Sequence, residues 1–260
     1  MAAGTDKHSD MTHDGASSKG AAECQVRSKE RVAKHAEVFT AKREVNAMLD
    51  LVKHETERLD SRFLEPACGT GNFLEEILLR KLAVAERDAI PAGRKKPLPE
   101  KFERNSIVAL TSIYGVELMD DNVKECRERL YGIWDTVYSR ICRKKPSDLI
   151  SRCACFILEK NIICGNALSM KKVDANQNDT DDPIVFSEWA FIGEYKVKRT
   201  DYRLDKLVAG EYHKPKSLKS EKEAVTQLAL FGEEAPNEGG DIVAEFKPLP
   251  HYARIAEYGE

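Results

Sequence analysis

A short stretch with two glycines, Glu65–Phe73, has residue types and a spacing that could cradle a bound molecule. Gly69 and Gly71 can adopt a positive φ and carry no Cβ, so the backbone here can pass directly beneath a ligand. The stretch follows a run that can end a strand and precedes apolar residues at helical spacing, so a helix beginning here would direct its first N–H groups at the ligand. Strand, glycine turn and helix in this order are typical of nucleotide binding, and a plain tight turn is the alternative reading.

The residue before the turn narrows the chemistry of the ligand. Glu65 stands at the predicted carboxyl end of the strand, which is where ligands of open α/β sheets bind. A carboxylate at this position would repel a pyrophosphate, but it suits the positively charged methionine end of S-adenosylmethionine (AdoMet). The sequence therefore predicts AdoMet as the cofactor.

The run Phe63–Leu74, with its Pro-Ala-Cys-Gly core, resembles the AdoMet-binding motif of the amino-methylating DNA methyltransferases of restriction-modification systems. The resemblance implies a Rossmann-like α/β sheet of the class I AdoMet-dependent methyltransferases, with helices on both faces. It also implies that the motif residues bind the cofactor, with Glu65, Gly69 and Gly71 at its methionine portion. The candidates in this motif are Glu65, Pro66, Ala67, Cys68, Gly69, Gly71, Asn72 and Phe73.

An upstream segment, Glu37–Thr40, precedes a predicted amphipathic helix and resembles the N-terminal AdoMet-binding element of the same family. The matched positions are Phe39 and Thr40, and the resemblance places Thr40 near the methionine part of the cofactor. Family members often have proline after this threonine, where this chain has Ala41. A helix with a short extended lead-in is the purely structural interpretation.

Two further strands are predicted to complete the cofactor site. The predicted strand Ile113–Leu118 carries an acidic residue, Glu117, near its end, which could accept hydrogen bonds from both ribose hydroxyls. This strand resembles the family's second motif, and the matched positions are Glu117 and Leu118. The next strand, around residues 161–164, leads to Asn166 and Ala167, where the family usually carries an aspartate that accepts from the adenine amino group. The amide oxygen of Asn166 can still accept one bond, without the charge. A structural turn is the alternative at this position.

The chain departs from the family where the catalytic element should stand. That element is Asn or Asp, then Pro-Pro and an aromatic residue at the end of the fourth strand, and it holds the flipped target base. This sequence contains no Pro-Pro dipeptide, and Asp182-Pro183 is rejected because the proline is predicted to precede a strand instead of ending one. No catalytic residue is therefore assigned. The resemblance implies that this chain is the AdoMet-binding half of a split adenine-N6 methyltransferase, which acts on double-stranded DNA together with a companion chain. Its sheet is then expected to be incomplete at the C-terminal side.

Composition divides the chain into four predicted segments. Residues 1–27 are a disordered leader, 28–180 the AdoMet-binding domain, 181–210 a β-hairpin extension turning at Gly193, and 211–260 a linker and irregular C-terminal arm. The second arm of the hairpin is basic and aromatic, which suits nucleic acid or, equally, an edge hairpin with solvated lysines. The basic run Arg94–Lys96 is predicted to lie in a solvated loop, where it could touch a phosphate backbone.

The bulk composition sets limits on function. The chain has 260 residues, a formal charge of -3 and no apolar run long enough to span a bilayer, so a cytoplasmic protein is expected, with any nucleic-acid contact made by a local patch. Its seven cysteines form no CxxC pair, and no metal site is predicted. Two other functions remain open. One is a non-catalytic AdoMet-binding scaffold or sensor, and the other is a methyltransferase acting on RNA or a small molecule.

Overall fold

The computed structural model describes residues 40–210, 242–246 and 249–258, all within one compact unit, Phe39–Glu260. The predicted leader, Phe39 and most of the predicted linker and arm lie outside the described residues. The boundaries of the four predicted segments remain predictions.

The described elements follow one another from Thr40 onward. In chain order they are α1 (Lys42–Leu51), α2 (Lys53–Thr56), β1 (Phe63–Glu65), α3 (Asn72–Asp88), α4 (Pro99–Thr111), β2 (Ile113–Glu117), α5 (Asp120–Cys142), α6 (Asp148–Asn161), β3 (Ile162–Asn166), β4 (Lys171–Val173), β5 (Asp179–Pro183), β6 (Val185–Ile192), β7 (Lys196–Arg203), α7 (Leu204–Val208), β8 (Ile242–Glu245) and a 3₁₀ helix, Tyr252–Tyr258. The helices predicted after Thr40 and after the glycine turn are present as α1 and α3, and the first three predicted strands are present as β1, β2 and β3.

The first sheet has five strands in the order β1-β2-β3-β4-β5. Strands β1, β2 and β3 run parallel, and β4 and β5 continue the sheet in antiparallel orientation. The order β1-β2-β3, with helices in each crossover, is that of one half of a doubly wound sheet. The Rossmann-like α/β fold class predicted from the sequence is confirmed.

One face of this sheet is covered by helices. Side chains of α3 and α5 such as Leu74, Leu78 and Leu130 are fully buried in the main core, together with Ile113 and Ile162 from the strands. The other face carries Tyr114 and Val116, which pack against Ile184, Phe186 and Leu204 from the chain around β6 and the start of α7. The chain around β6 and the start of α7 therefore packs against this face of the first sheet.

The second sheet is antiparallel, in the order β6-β7-β8. Strands β6 and β7 form the predicted hairpin, which turns at Gly193 with φ of 64°. The basic second arm of this hairpin, β7, is not solvated throughout, because one of its arginines is buried. Arg199 is only 6% exposed, donates to both carboxylate oxygens of Asp201, and lies 4.0 Å above the Phe246 ring. This arginine is part of the interior.

A buried lysine fixes the segment before β1. Lys81 of α3 is 0% exposed, and its Nζ donates to the carbonyl oxygens of Arg58, Leu59 and Ser61 at 2.8, 3.1 and 2.6 Å. Three acceptors match the three N–H donors of an ammonium group, although burial lowers the pKa of Lys81 to about 7. The amino end of β1 is thus tied to the helix layer.

Two local details concern Pro183 and the start of α5. Pro183 ends β5 as well as preceding β6, so the prediction that it does not end a strand is wrong. Helix α5 begins after Met119 with no side-chain cap, so Asp120 and Asp121 lie in its first turn. Within the described residues, no helix is long and apolar enough to cross a bilayer, and no cluster of histidine, cysteine or acidic residues could hold a metal ion.

Candidate cofactor site

Three polar side chains stand at the carboxyl ends of the three parallel strands. Glu65, Glu117 and Asn166 are the last residues of β1, β2 and β3. The register pairs Glu65 with Gly115 and Glu117 with Cys164, so all three strands end at the same edge of the sheet. This is the edge at which open α/β sheets bind ligands.

The glycine loop is fastened to this edge by its backbone. The N–H of Cys68 donates to the carbonyl of Val116 at 3.0 Å, and the N–H of Gly71 donates to the carbonyl of Cys68 at 2.8 Å. Gly71 is the N-cap of α3, and no side chain caps this helix. The first-turn N–H groups, which have no partner within a helix, are therefore directed toward the loop.

Gly71 is required by packing against α5. Its φ is +91°, and a Cβ there would lie 2.7 Å from the Sγ of Cys126. A larger residue here would therefore disturb the packing of the fold before it filled the volume of a ligand, because its side chain would first collide with the buried Cys126.

The Glu117 carboxylate already accepts hydrogen bonds from its own chain. One of its oxygens accepts from the N–H of Gly69 at 2.9 Å, and the other accepts from the N–H of Met119 at 3.0 Å and from Nδ2 of Asn122 at 3.3 Å. A carboxylate has about four acceptor positions, so these three bonds leave about one for a ribose hydroxyl. Glu117 thus holds the glycine loop and retains capacity for a ligand.

Glu65 has far fewer partners. It is half-buried, and burial raises the pKa of its carboxyl, partly offset by a bond from the backbone of Ala67. No cation of the described residues lies within ion-pair distance of it. A half-buried carboxylate without a cation is an electrostatic environment that a ligand ammonium group would improve.

Asn72 connects the glycine loop to the N-terminal segment. Its Nδ2 donates to the carbonyl of Thr40 at 3.0 Å, and its Oδ1 accepts from Arg129 at 2.7 Å. Arg129 also forms an ion pair with Glu75 in the first turn of α3. This network holds the backbone of Thr40 beside the glycine loop.

The remaining candidates have mixed environments. Phe73 packs against the main core, and Ala167 against the smaller cluster on the opposite face. The carbonyl of Leu118 accepts from the thiol of Cys164 at 3.7 Å, whereas Pro66 and Ala67 are exposed on the loop. Cys68 is buried, with the pKa of its thiol raised by the neighbouring Cys126 and by desolvation, so it is a packing residue. The roles of Arg129 and of Cys126 beside the loop are not predictable from the sequence, because a helical pattern does not reveal which residue of another element each side chain contacts.

Asn166 forms two bonds with its own chain. Its Oδ1 accepts from the N–H of Leu168 at 3.0 Å, and its Nδ2 donates to Oδ1 of Asp179 on β5 at 3.0 Å. The oxygen expected to accept from adenine is therefore already used once, with one lone pair left.

A cavity of about 290 Å³ lies elsewhere, at the amino ends of β1 and β2. Its walls include Arg62, Ser112 and Trp189. The side chains there have partners, since Arg62 pairs with Glu188 and Trp189 donates to Asn161. The candidate site is therefore identified from the convergence of strand ends and not from cavity size.

The described residues provide no catalytic element of the expected kind. Asp182 is exposed at the end of β5, the strand farthest from β1 in the sheet. On the other side, β1 pairs only with β2 among the described strands, and Leu64 at its centre is 46% exposed. Within the part of the chain that the structure describes, the sheet thus has an open edge next to the glycine loop.

Comparison with known proteins gives one family. No curated protein and no solved structure shows a significant match. Residues 39–218 match the family described as MmeI, DNA-methyltransferase domain, a span that includes every candidate site residue. AdoMet is the general methyl donor of such domains, and the two half-buried carboxylates beside an uncapped helix fit its charged and hydroxyl groups. Because the match covers well over half of the sequence, this chain belongs to the family of MmeI DNA-methyltransferase domains, and so to the DNA methyltransferases of restriction-modification systems.

Proposed function

We propose that this chain is the AdoMet-binding part of an adenine-N6 DNA methyltransferase whose catalytic Asn/Asp-Pro-Pro-aromatic element comes from a companion polypeptide. The observation that carries the proposal is the convergence of Glu65, Glu117 and Asn166 on a fastened glycine loop, with no catalytic element among the described residues. The reaction would take place on double-stranded DNA in the cytoplasm.

Each residue has a defined task in this proposal. Glu65 pairs with the ammonium group of the methionine portion, and the first-turn N–H groups of α3 face its carboxylate. Glu117 accepts from the ribose, and Thr40, held by Asn72, closes over the methionine portion. Bound AdoMet supplies the electrophilic methyl group. The chain therefore binds and orients the donor and leaves the target base to the companion.

The open edge of β1 supports the need for a companion. In doubly wound sheets the ligand lies where the strand order reverses, beside the first strand, and β1 lacks a second neighbour in the described part of the chain. An unpaired edge with an exposed leucine is a liability in an isolated protein. A strand of the companion pairing here would bring the catalytic element next to the glycine loop.

The test combines binding with methyl transfer. AdoMet is titrated into the chain by calorimetry, and labelled AdoMet is then supplied with double-stranded DNA, with and without the polypeptide encoded by the adjacent gene. Nucleoside analysis of the DNA identifies the methylated base. We expect AdoMet binding by this chain alone and N6-methyladenine only in the mixture.

Other outcomes would overturn particular parts of the proposal. Absence of AdoMet binding would remove the cofactor role, and methylation by the chain alone would remove the companion. Binding without methylation of DNA in any mixture would favour a scaffold or sensor. Methylation of RNA or metabolites in parallel reactions would change the substrate class.

A further inference from the structure

The amide of Asn166 has an orientation that the structure fixes. A backbone N–H can only donate, so the side-chain atom 3.0 Å from the N–H of Leu168 must be the oxygen, Oδ1. The other atom, Nδ2, consequently points at Oδ1 of Asp179, also at 3.0 Å. The hydrogen bonds themselves therefore decide which end of the amide faces which neighbour.

This orientation brings a carboxylate to the end of β3. Asp179 is the first residue of β5, and it reaches Asn166 across the intervening strand β4. Its side chain is exposed, and its only hydrogen bond to the described part of the chain is the one from Asn166. Because a carboxylate accepts about four hydrogen bonds, Asp179 retains most of its accepting capacity.

The donors and acceptors of adenine match this arrangement. The exocyclic 6-amino group donates and the ring nitrogen beside it accepts. The second N–H of the Asn166 amide is a donor, and the free oxygen of Asp179 is an acceptor that carries charge. Asn166 by itself, with its oxygen already bonded to Leu168, offers a weaker acceptor for the amino group.

We propose that Asp179 is the group that recognises the adenine amino group of AdoMet, and that Asn166 holds it in place. The proposal rests on AdoMet binding at this edge of the sheet. It makes Asp179, thirteen residues beyond the strand end, the specificity-determining residue for the adenine base.

The Asp179 carboxylate can only accept hydrogen bonds, so it should distinguish a 6-amino purine from a 6-oxo purine. A purine with oxygen in place of the 6-amino group would set its oxygen against the Asp179 carboxylate. Sites built to hydrogen-bond a substrate donor discriminate against an analogue that lacks it, and here the analogue would lose a charge-assisted bond and bring two acceptor oxygens together. The base-reading part of the site should therefore reject a 6-oxo ligand.

The experiment measures this selectivity with two ligands that differ at one position. S-adenosylhomocysteine and S-inosylhomocysteine are each titrated by calorimetry into the wild-type chain, Asp179→Asn and Asp181→Asn. Asp181 is a matched control, since it is an exposed aspartate on the same strand whose side chain forms no hydrogen bond with the described residues. Thermal unfolding checks that all three proteins are folded.

We expect the wild type and Asp181→Asn to prefer the adenosyl ligand by roughly tenfold or more. In Asp179→Asn the affinity for the adenosyl ligand should fall by about tenfold, which is the effect of one charge-assisted hydrogen bond. The new amide can also donate to a 6-oxo group, so the preference should narrow or reverse.

An unchanged ratio of the two affinities in Asp179→Asn would overturn the role of Asp179 while leaving AdoMet binding intact. A wild-type chain that binds neither ligand would overturn the proposed cofactor function, and this inference with it.

Discussion

The two sheets treat their charged residues in opposite ways. In the second sheet, Arg199 and Asp201 are buried and bonded to each other, and Ser187 completes the pair by donating to Asp201 and accepting from Arg199. At the carboxyl edge of the first sheet, no cation of the described residues pairs with Glu65, and the Asp179 carboxylate accepts a single hydrogen bond from the described part of the chain, the one from Asn166. The difference indicates which charges serve the fold and which await a ligand.

The two kinds of charged group differ in how they affect the stability of the fold. A buried charge that is fully bonded is costly to disturb, because removing one partner leaves the other without compensation. A half-buried carboxylate without a partner instead costs stability, which a ligand can recover on binding. Substitutions in the two regions should therefore move stability and affinity in different directions.

The largest effect is expected in the second sheet. Arg199→Ala should lower the free energy of unfolding by about 3–5 kcal/mol, because it removes the cation bonded to the buried Asp201 carboxylate. Arg203→Ala is the control, since Arg203 pairs with Asp205 in a partly exposed bridge whose loss should cost less than about 1 kcal/mol. Urea unfolding measures both. Equal losses for the two variants would show that the buried pair is not the stronger one.

Gly71→Ala should have the next largest effect. The substitution combines a positive φ with a clash against Cys126, and we expect a loss of about 2–4 kcal/mol. Gly93→Ala isolates the first contribution, since Gly93 has φ of +74° and nothing within 4 Å of its would-be Cβ. It should cost only about 1 kcal/mol.

A second substitution sharpens this test. Adding Cys126→Ala to Gly71→Ala removes the colliding Sγ and should restore part of the lost stability. Absence of any rescue in the double variant would mean that the glycine is required for backbone conformation alone.

The smallest change in stability, with the opposite sign, is expected at Glu65. Because burial raises the pKa of Glu65, the folded state favours its protonated form. Its contribution to stability is therefore largest at acidic pH and declines as pH rises through the folded-state pKa. Glu65→Gln should thus raise the stability of the chain at neutral pH slightly, by less than about 1 kcal/mol, while AdoMet affinity falls by about tenfold.

The pH dependence of AdoMet binding provides an independent check on Glu65. A cation favours the carboxylate, so wild-type affinity should weaken as pH falls below the raised pKa, and Glu65→Gln should lose this dependence over the same acidic range. Calorimetry across that range measures it. An identical pH profile in both proteins would argue against an ion pair at Glu65.

The sequence predicts those parts of the molecule that depend on local pattern. The strand ends at Glu65, Glu117 and Asn166 follow from apolar runs and the residues after them, and the structure places all three at one edge. Strand β5 has the sequence Asp-Thr-Asp-Asp-Pro, which has poor strand propensity, so its place beside β4 follows from tertiary context and not from pattern.

Long-range contacts account for the rest. The burial of Arg199 depends on Asp201, Ser187 and Phe246 meeting around it, and a run of lysine and arginine alone indicates a solvated surface. Likewise, the reason for glycine at position 71 lies in Cys126, fifty-five residues away in the printed sequence. Such partners come together only in the folded chain.

The buried Lys81 provides a built-in reporter of local opening. Its ammonium group is enclosed by three carbonyls of the segment before β1, so an amine-reactive reagent can modify it only when that segment separates from α3. The rate at which Lys81 acquires the label, followed by peptide mass spectrometry, therefore measures how often the amino end of β1 opens transiently. Because the opposite end of this strand carries Glu65, slower labelling with AdoMet present would show that the cofactor steadies the strand along its whole length.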